Sequence, residues 1–234
     1  MTSSVAKISE NAQRVLERIE QAAADAGRLR SEVQLVAVAK YVDIDTTAAL
    51  VQSGLDLLGE SRPQQLWQKA ASPALESIRW HMIGHLQRNK VQRTVPLVDL
   101  IHSVDSERLL RSIDRAASEH GKKQRVLLEV NTSGDAAKHG LSSVELQKLL
   151  PTLTDFSSVE VCGLMTMAAR EGGTAVASRN FAALRELRDV VQRECPDGIK
   201  LTELSMGMSH DFETAIREGA TLVRIGSLLF QGVL

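Results

Sequence analysis

Eight short apolar runs recur along the chain, and each is followed by a helically patterned segment or by the chain end. They fall at residues 35–39, 56–60, 78–84, 100–104, 126–130, 159–165, 203–206 and 222–225. Runs such as Leu35-Val36-Ala37-Val38-Ala39 carry no polar alternation, which suits strands covered on both faces, as in a parallel sheet. The intervening segments predict helices at about 44–53, 63–71, 87–93, 107–119, 143–150, 174–194 and 211–218, with a leading helix at about 6–26. Gly54, Gly121 and Gly219 supply helix stops, Pro63 is tolerated in a first turn, and Asp105 or Ser106 can cap the helix at 107. Eight such units with no break in composition predict an α/β fold, a single-domain (β/α)8 TIM barrel spanning 1–234. An open doubly wound sheet stays possible, because periodicity does not show closure. No G-x-G-x-x-G follows an early strand, which disfavours a dinucleotide fold.

Composition narrows the function. A net charge of −1 and one Tyr with two Trp argue against nucleic acid, which needs basic surface and stacking rings. Neither a signal peptide nor a membrane span is expected, since no segment approaches about 20 apolar residues. Two cysteines, Cys162 and Cys195, make no disulfide framework, so a cytoplasmic location is expected. His81 and His85 sit on a strand and its exit, where they are poor metal partners, and no metal site is expected. A monomer is expected, because the helices show no large apolar surplus.

In a barrel, ligand chemistry belongs at the C-terminal strand ends. Polar groups collect there: Lys40 after the first strand, Glu60 and Ser61 after the second, and His85 after the third. Ser103 and Asp105 follow the fourth, Asn131 the fifth, Thr166 the sixth, Ser209 the seventh and Ser227 the eighth. Met82, Met165, Met167, Met206 and Met208 are read as packing around this pocket. Two features bear on the ligand. Ser205-Met206-Gly207-Met208-Ser209 before a helix, with Gly226-Ser227 closing the last strand, matches the phosphate cradle of this fold; equally, Ser209 could simply cap a helix. Arg224 interrupts an apolar strand, facing either the helices or an acceptor in the mouth. A lysine in a partly desolvated pocket can form a Schiff base with an aldehyde. An aldehyde that also carries a phosphate and an aromatic nitrogen is pyridoxal 5′-phosphate (PLP). Arginine at its pyridine nitrogen would weaken the electron sink that PLP catalysis uses.

Several phrases resemble the YggS/PROSC (PLPBP) family of pyridoxal phosphate homeostasis proteins. They are Val36-Ala37-Val38-Ala39-Lys40, Leu58-Gly59-Glu60, Trp80 to Lys90, His102-Ser103-Val104-Asp105-Ser106, and Val130-Asn131-Thr132-Ser133-Gly134. Further along come Lys138-His139-Gly140, Gly163-Leu164-Met165-Thr166-Met167, Leu204 to Ser209 and Val223 to Ser227. The resemblance implies a fold type III barrel, like the alanine racemase N-terminal domain, with PLP on Lys40. It implies phosphate at Ser205–Ser209 and Gly226-Ser227, and Arg224 at the pyridine nitrogen. The cofactor contacts expected are Lys40, Ser61, Met82, His85, Ser103, Asn131, Met165, Ser205, Gly207, Met208, Ser209, Arg224, Gly226 and Ser227. Lys138 matches a family lysine linked to a secondary PLP or transfer role, against the reading of a solvated loop lysine. The implied function is to buffer or deliver PLP, with PLP-requiring apoenzymes as partners and an influence on amino-acid and keto-acid balance, without robust catalysis. Three departures stand out. The family's Gly-Glu-Asn is Gly59-Glu60-Ser61, Tyr41-Val42-Asp43 follows Lys40 without a second basic residue, and the end lacks a charged, aromatic tail.

The competing reading is an amino-acid racemase of the same fold type. Such enzymes add a β domain carrying a tyrosine base, whereas the only tyrosine here, Tyr41, adjoins Lys40. A sugar-phosphate isomerase would use the phosphate loop but gives Lys40 and Arg224 no joint role.

Overall fold

Eight parallel strands close in sequence order, β1 bonded to β8, in a computed structural model that describes residues 3–135 and 139–233. The strands are β1 (Gln34–Val38), β2 (Leu57–Glu60), β3 (Arg79–Met82), β4 (Leu100–Val104), β5 (Gln124–Glu129), β6 (Val159–Met165), β7 (Glu203–Ser205) and β8 (Leu222–Ile225). The helices are α1 (Ser3–Asp25), α2 (Ile44–Gln52), α3 (Pro63–Ala70), α4 (Arg88–Thr94), α5 (Glu107–Glu119), α6 (Ser143–Leu149), α7 (Gly173–Glu194) and α8 (Phe212–Arg217). Closure settles the choice between barrel and open sheet. No helix of the described residues is long and apolar enough to cross a membrane.

Period-two alternation divides the strand residues into two layers. Val36, Leu57, Leu100, Leu127, Cys162, Met165 and Leu222 fill the lumen, with Ile83 packed against them. Leu35, Ala37, Leu58, Trp80, Ile101, Val126, Leu164, Leu204 and Val223 face the helices in a second, larger core. Gly59 lets the lumen close, since a Cβ there would sit 2.8 Å from Val36 Cγ1. In α1, Ile8, Ala12, Val15, Ile19, Ala22 and Ala23 recur at helical spacing and are buried, so that α1 seals the β8–β1 seam between α2 and α8. Its Asn11 amide donates to the carbonyls of Leu229 and Gln231, tying the chain's two ends together.

Several starts are capped by side chains. Asp43 accepts from Thr46 N, Ser106 from Leu109 N, and Ser142 forms a capping box with Glu145. Two elements are shorter than the sequence suggests by two residues or more. β3 covers four residues, because the chain beyond Met82 turns into the mouth. Helix α8 covers six, because Asp211 is non-helical (φ −142°, ψ 8°) and its carboxylate accepts the Met208 amide.

Candidate functional site

The register brings β1 between β2 and β8, pairing Val38 with Gly59 and Ala37 with Ile225. Lys40 therefore leaves the sheet where β8 ends, and its side chain is exposed. Just beyond β8, a Cβ on Gly226 would lie 3.2 Å from both Val38 Cβ and Val38 O, so the backbones of the two strand ends touch. The following residue, Tyr41, has φ 70°, a left-handed conformation that β-carbon-bearing residues rarely adopt. Its ring lies 5.5 Å from Lys40 Nζ and 4.9 Å from the Arg62 guanidinium carbon. The expected lack of a second basic group near Lys40 is thus corrected: Arg62, from the loop after β2, shares Tyr41 with it.

Glu60 was expected at the rim with Ser61. Strand alternation turns it the other way, toward α3, where it is fully buried and paired with Lys69 at 2.8 Å. Glu60 Oε1 accepts the amides of Ser61 (2.7 Å) and Arg62 (3.2 Å), and Lys69 Nζ donates to Ala39 O at 2.6 Å. One ion pair thereby fixes both the loop after β2 and the residue before Lys40. Ser61 keeps its place against the mouth, because a Cβ on Gly84 would fall 2.3 Å from Ser61 O.

Arg224 is the polar centre of the site. It is 5% exposed and alternates into the lumen, which resolves its orientation away from the helices. Its Nη1 donates to Ser205 Oγ at 2.5 Å and its Nη2 to Thr166 O at 3.0 Å. Two of five N–H donors are used, and the others have no acceptor among the described residues. Burial lowers its pKa to about 10, opposed by the charges of Glu129 and Asp211, so it stays a cation at neutral pH. Glu129, on β5 and 4% exposed, is pushed up to about 7, mainly by burial and then by the charge of Asp105. This carboxyl was missed in the sequence. The signal was there, an acid two positions beyond Leu127 and hence on the lumen side.

Below Arg224 runs a chain of buried polar groups. Ser205 Oγ lies 2.8 Å from His102 Nδ1, and His102 Nε2 lies 2.9 Å from His81 Nδ1. Burial above all, then neighbouring charges, lowers both histidines far below 6.5, His81 to about 3, so both are neutral. Ser205 is consequently not a free phosphate ligand. Its hydroxyl is fully buried and engaged with Arg224 and His102.

The phosphate-cradle residues do converge. Ser209 Oγ accepts from Gly226 N at 3.3 Å, joining the loops after β7 and β8. Gly207 has φ 91° and a Cβ there would sit 2.5 Å from Ala215 Cβ, so its role is close packing against α8; its carbonyl accepts Arg224 N. Met208 N is occupied by Asp211, and the Met208 side chain is exposed. The amides of Ser209, His210, Ser227 and Leu228 have no acceptor among the described residues. His210 and Leu228 were not foreseen, because backbone donors leave no mark in residue type.

Other expected contacts separate. Met165 lies in the lumen layer beside Glu129 and Ser205 in register. Met82 does not: it is fully buried in the outer core, facing the helices, as is Met206. Ser103, near the end of β4, donates to Gly84 O at 2.6 Å, tying that strand to the loop after β3. Asn131 spends its side chain on its own loop, donating to Asp135 O and accepting from Ser133 N and Oγ. Thr166 is buried, its hydroxyl donating to Val130 O. His85 contacts Asp105 Oδ2 through Nδ1 at 3.1 Å and stacks on His139, ring centroids 4.4 Å apart. His85, Asp105 and His139 offer three ligand atoms within 4.8 Å, a grouping the sequence reading overlooked because three loops supply it. Both imidazole Nδ1 atoms approach the same Asp105 Oδ2, at 3.1 Å from His85 and 3.9 Å from His139. Lys138 lies outside the described residues.

A lysine amine, an arginine with free donors and a ring of free amides at one mouth suit an acceptor-rich ligand carrying a carbonyl and a phosphate. Residues 7–233 match the family described as alanine racemase, N-terminal domain. The chain is 41% identical to the pyridoxal phosphate homeostasis protein of Aquifex aeolicus, over 94% of this chain and 96% of that one. It is 34% identical to the human protein of the same name, over 92% and 83%. Among solved structures, PipY of Synechococcus elongatus with PLP bound is 36% identical at TM-score 0.82, covering 91% of this chain and 99% of that one. An alanine racemase from Streptomyces coelicolor, 18% identical at TM-score 0.73 over 97% of this chain and 58% of that one, shares the fold.

Proposed function

This chain belongs to the pyridoxal phosphate homeostasis protein family, and from that premise we propose that it binds PLP at the barrel mouth, holds it on Lys40, and buffers or delivers it. PLP supplies an aldehyde. When bound, that aldehyde would be open to reversible condensation with the Lys40 amine, one water released on holding and one taken up on release, without redox change. The free amides of Ser209, His210, Ser227 and Leu228 hold the phosphate oxygens. Gly207 and Gly226 permit the backbone approach that places them. Arg224 would offer an unused N–H to the pyridine nitrogen, and Met165 would supply apolar lumen surface near it.

The observation that carries this reading is Arg224, a buried cation with unspent donors, in the same mouth as a strand-end lysine. A guanidinium that keeps its proton donates a hydrogen bond to the pyridine nitrogen and does not protonate it. The ring then makes a weak electron sink, which favours reversible holding over turnover. Exposure of Lys40 and Tyr41 gives a recipient apoenzyme access to the bond to be exchanged. A monomer in the cytoplasm fits scattered exposed apolar residues and two free cysteines. His85 and Ser61 border the ligand, with Ser103 and Asn131 shaping the loops around it.

The test is PLP uptake by the purified protein and by Lys40→Ala, read as visible absorbance before and after borohydride. The wild type should show an absorbance band that borohydride abolishes, absent from the variant. A wild type that stays colourless with added PLP removes the proposal.

A further inference from the structure

At the barrel face opposite the mouth, among the N-terminal strand ends, lies a cavity of about 480 Å³. His81 forms part of its lining and is only 5% exposed. Its Nδ1 is taken by His102, while Nε2 has no partner among the described residues. The direction of the hydrogen bonds behind it fixes what that nitrogen offers. Arg224 can only donate to Ser205 Oγ, and the Ser205 hydrogen has His102 Nδ1 as its acceptor. His102 then carries its proton on Nε2 and donates to His81 Nδ1, which leaves the His81 proton on Nε2. The reverse order strands a buried Ser205 hydroxyl hydrogen, at a cost of about 1–3 kcal/mol. His81 thus presents an N–H donor to the cavity.

The walls add positive charge. Arg79, Lys122, Lys123 and Arg125 line the cavity against Asp99 and Glu203. Arg79 is shared with Asp56, and Arg125 lies 3.5 Å from Glu203, which is also held by Thr221. Lys122 donates to the carbonyls of Val95 and Val98, so its charge faces the space without a carboxylate partner in contact. Lys123 is exposed with no partner among the described residues. A buried neutral donor within a ring of excess cations selects a negatively charged ligand rich in acceptor oxygens.

We propose that this cavity is a second binding site, distinct from the mouth, for a small oxyanion of carboxylate or phosphate chemistry, held by the His81 Nε2–H and the surrounding cations. An anion bound there favours the same direction of donation through His102 and Ser205 to Arg224.

Histidine side-chain nitrogen NMR on the full chain tests this, with inorganic phosphate and succinate titrated separately. His81 should carry its proton on Nε2 without ligand, and that nitrogen should shift saturably with one or both anions; the tighter one names the source. Lys123→Glu, an exposed change that spares the core, should weaken this binding about tenfold or more. The Ser209 amide reports separately on phosphate at the mouth. If His81 Nε2 is unprotonated, ignores both anions, or responds equally in Lys123→Glu, the proposal is wrong.

Discussion

Lys69 Nζ lies 2.6 Å from the carbonyl oxygen of Ala39, one residue before Lys40, while its charge is paired at 2.8 Å with the fully buried Glu60. The pair acts as a clamp between the β1 and β2 exits, and Lys40 is held by bonds it does not itself make. Removing one partner leaves a buried charge alone. Glu60→Gln or Lys69→Met should each cost roughly 3–5 kcal/mol, and Glu60→Leu with Lys69→Met should recover much of that. Urea denaturation measures the stability. PLP content should stay low in the double variant, because the Ser61 and Arg62 amides and the Ala39 carbonyl remain unclamped.

Glu129 sets a pH dependence. Its folded pKa is raised from 4.5 to about 7. Between those values the unfolded chain has released this proton and the folded chain keeps it, so folding loses stability as pH rises through the window. The loss is up to about 3 kcal/mol, at about 1.4 kcal/mol per pH unit. His81 and His102 act oppositely: they stay neutral when folded and protonate near 6.5 when unfolded, so their contribution falls as pH falls. The difference between Glu129→Gln and wild type isolates the carboxyl. The variant's relative stability should rise from pH 4.5 to 7; a flat difference contradicts the assignment.

Arg224→Lys should keep the barrel yet lower PLP affinity about tenfold or more, because an ammonium cannot span Ser205, Thr166 and a ring nitrogen together. Equilibrium PLP binding by fluorescence quenching measures it. Unchanged affinity would place the ring nitrogen elsewhere.

Gly84→Ala tests the packing of the mouth. Its Cβ would fall 2.3 Å from Ser61 O, a backbone atom pinned through Glu60, so relief requires moving the loop. A loss of about 1–3 kcal/mol is expected, with weakened PLP binding. Thermal unfolding with and without PLP reads both.

The eight-unit order was legible because strand burial leaves a plain pattern, and Arg224 stood out by breaking it inside Val223-Arg224-Ile225, but only barrel closure decided that it faces the lumen and not the helices. Glu60 shows the limit. A strand-end carboxylate looks the same whether it faces the mouth or α3, and only the alternation phase, set by Leu57 and Gly59 in the lumen, decides. Met82 fails for the same reason, one position off the inward His81. The histidine chain was hidden because its members lie on β3, β4 and β7, and sequence distance says nothing about what closure brings together. The free amides were illegible, since every residue except proline has one and only the missing acceptor distinguishes them.

The covalent anchor is tested most directly by borohydride reduction of the PLP-loaded protein, followed by proteolysis and mass spectrometry of the pyridoxyl-labelled peptide. The account predicts one label per chain, on Lys40. A label on another lysine, or none, would contradict it.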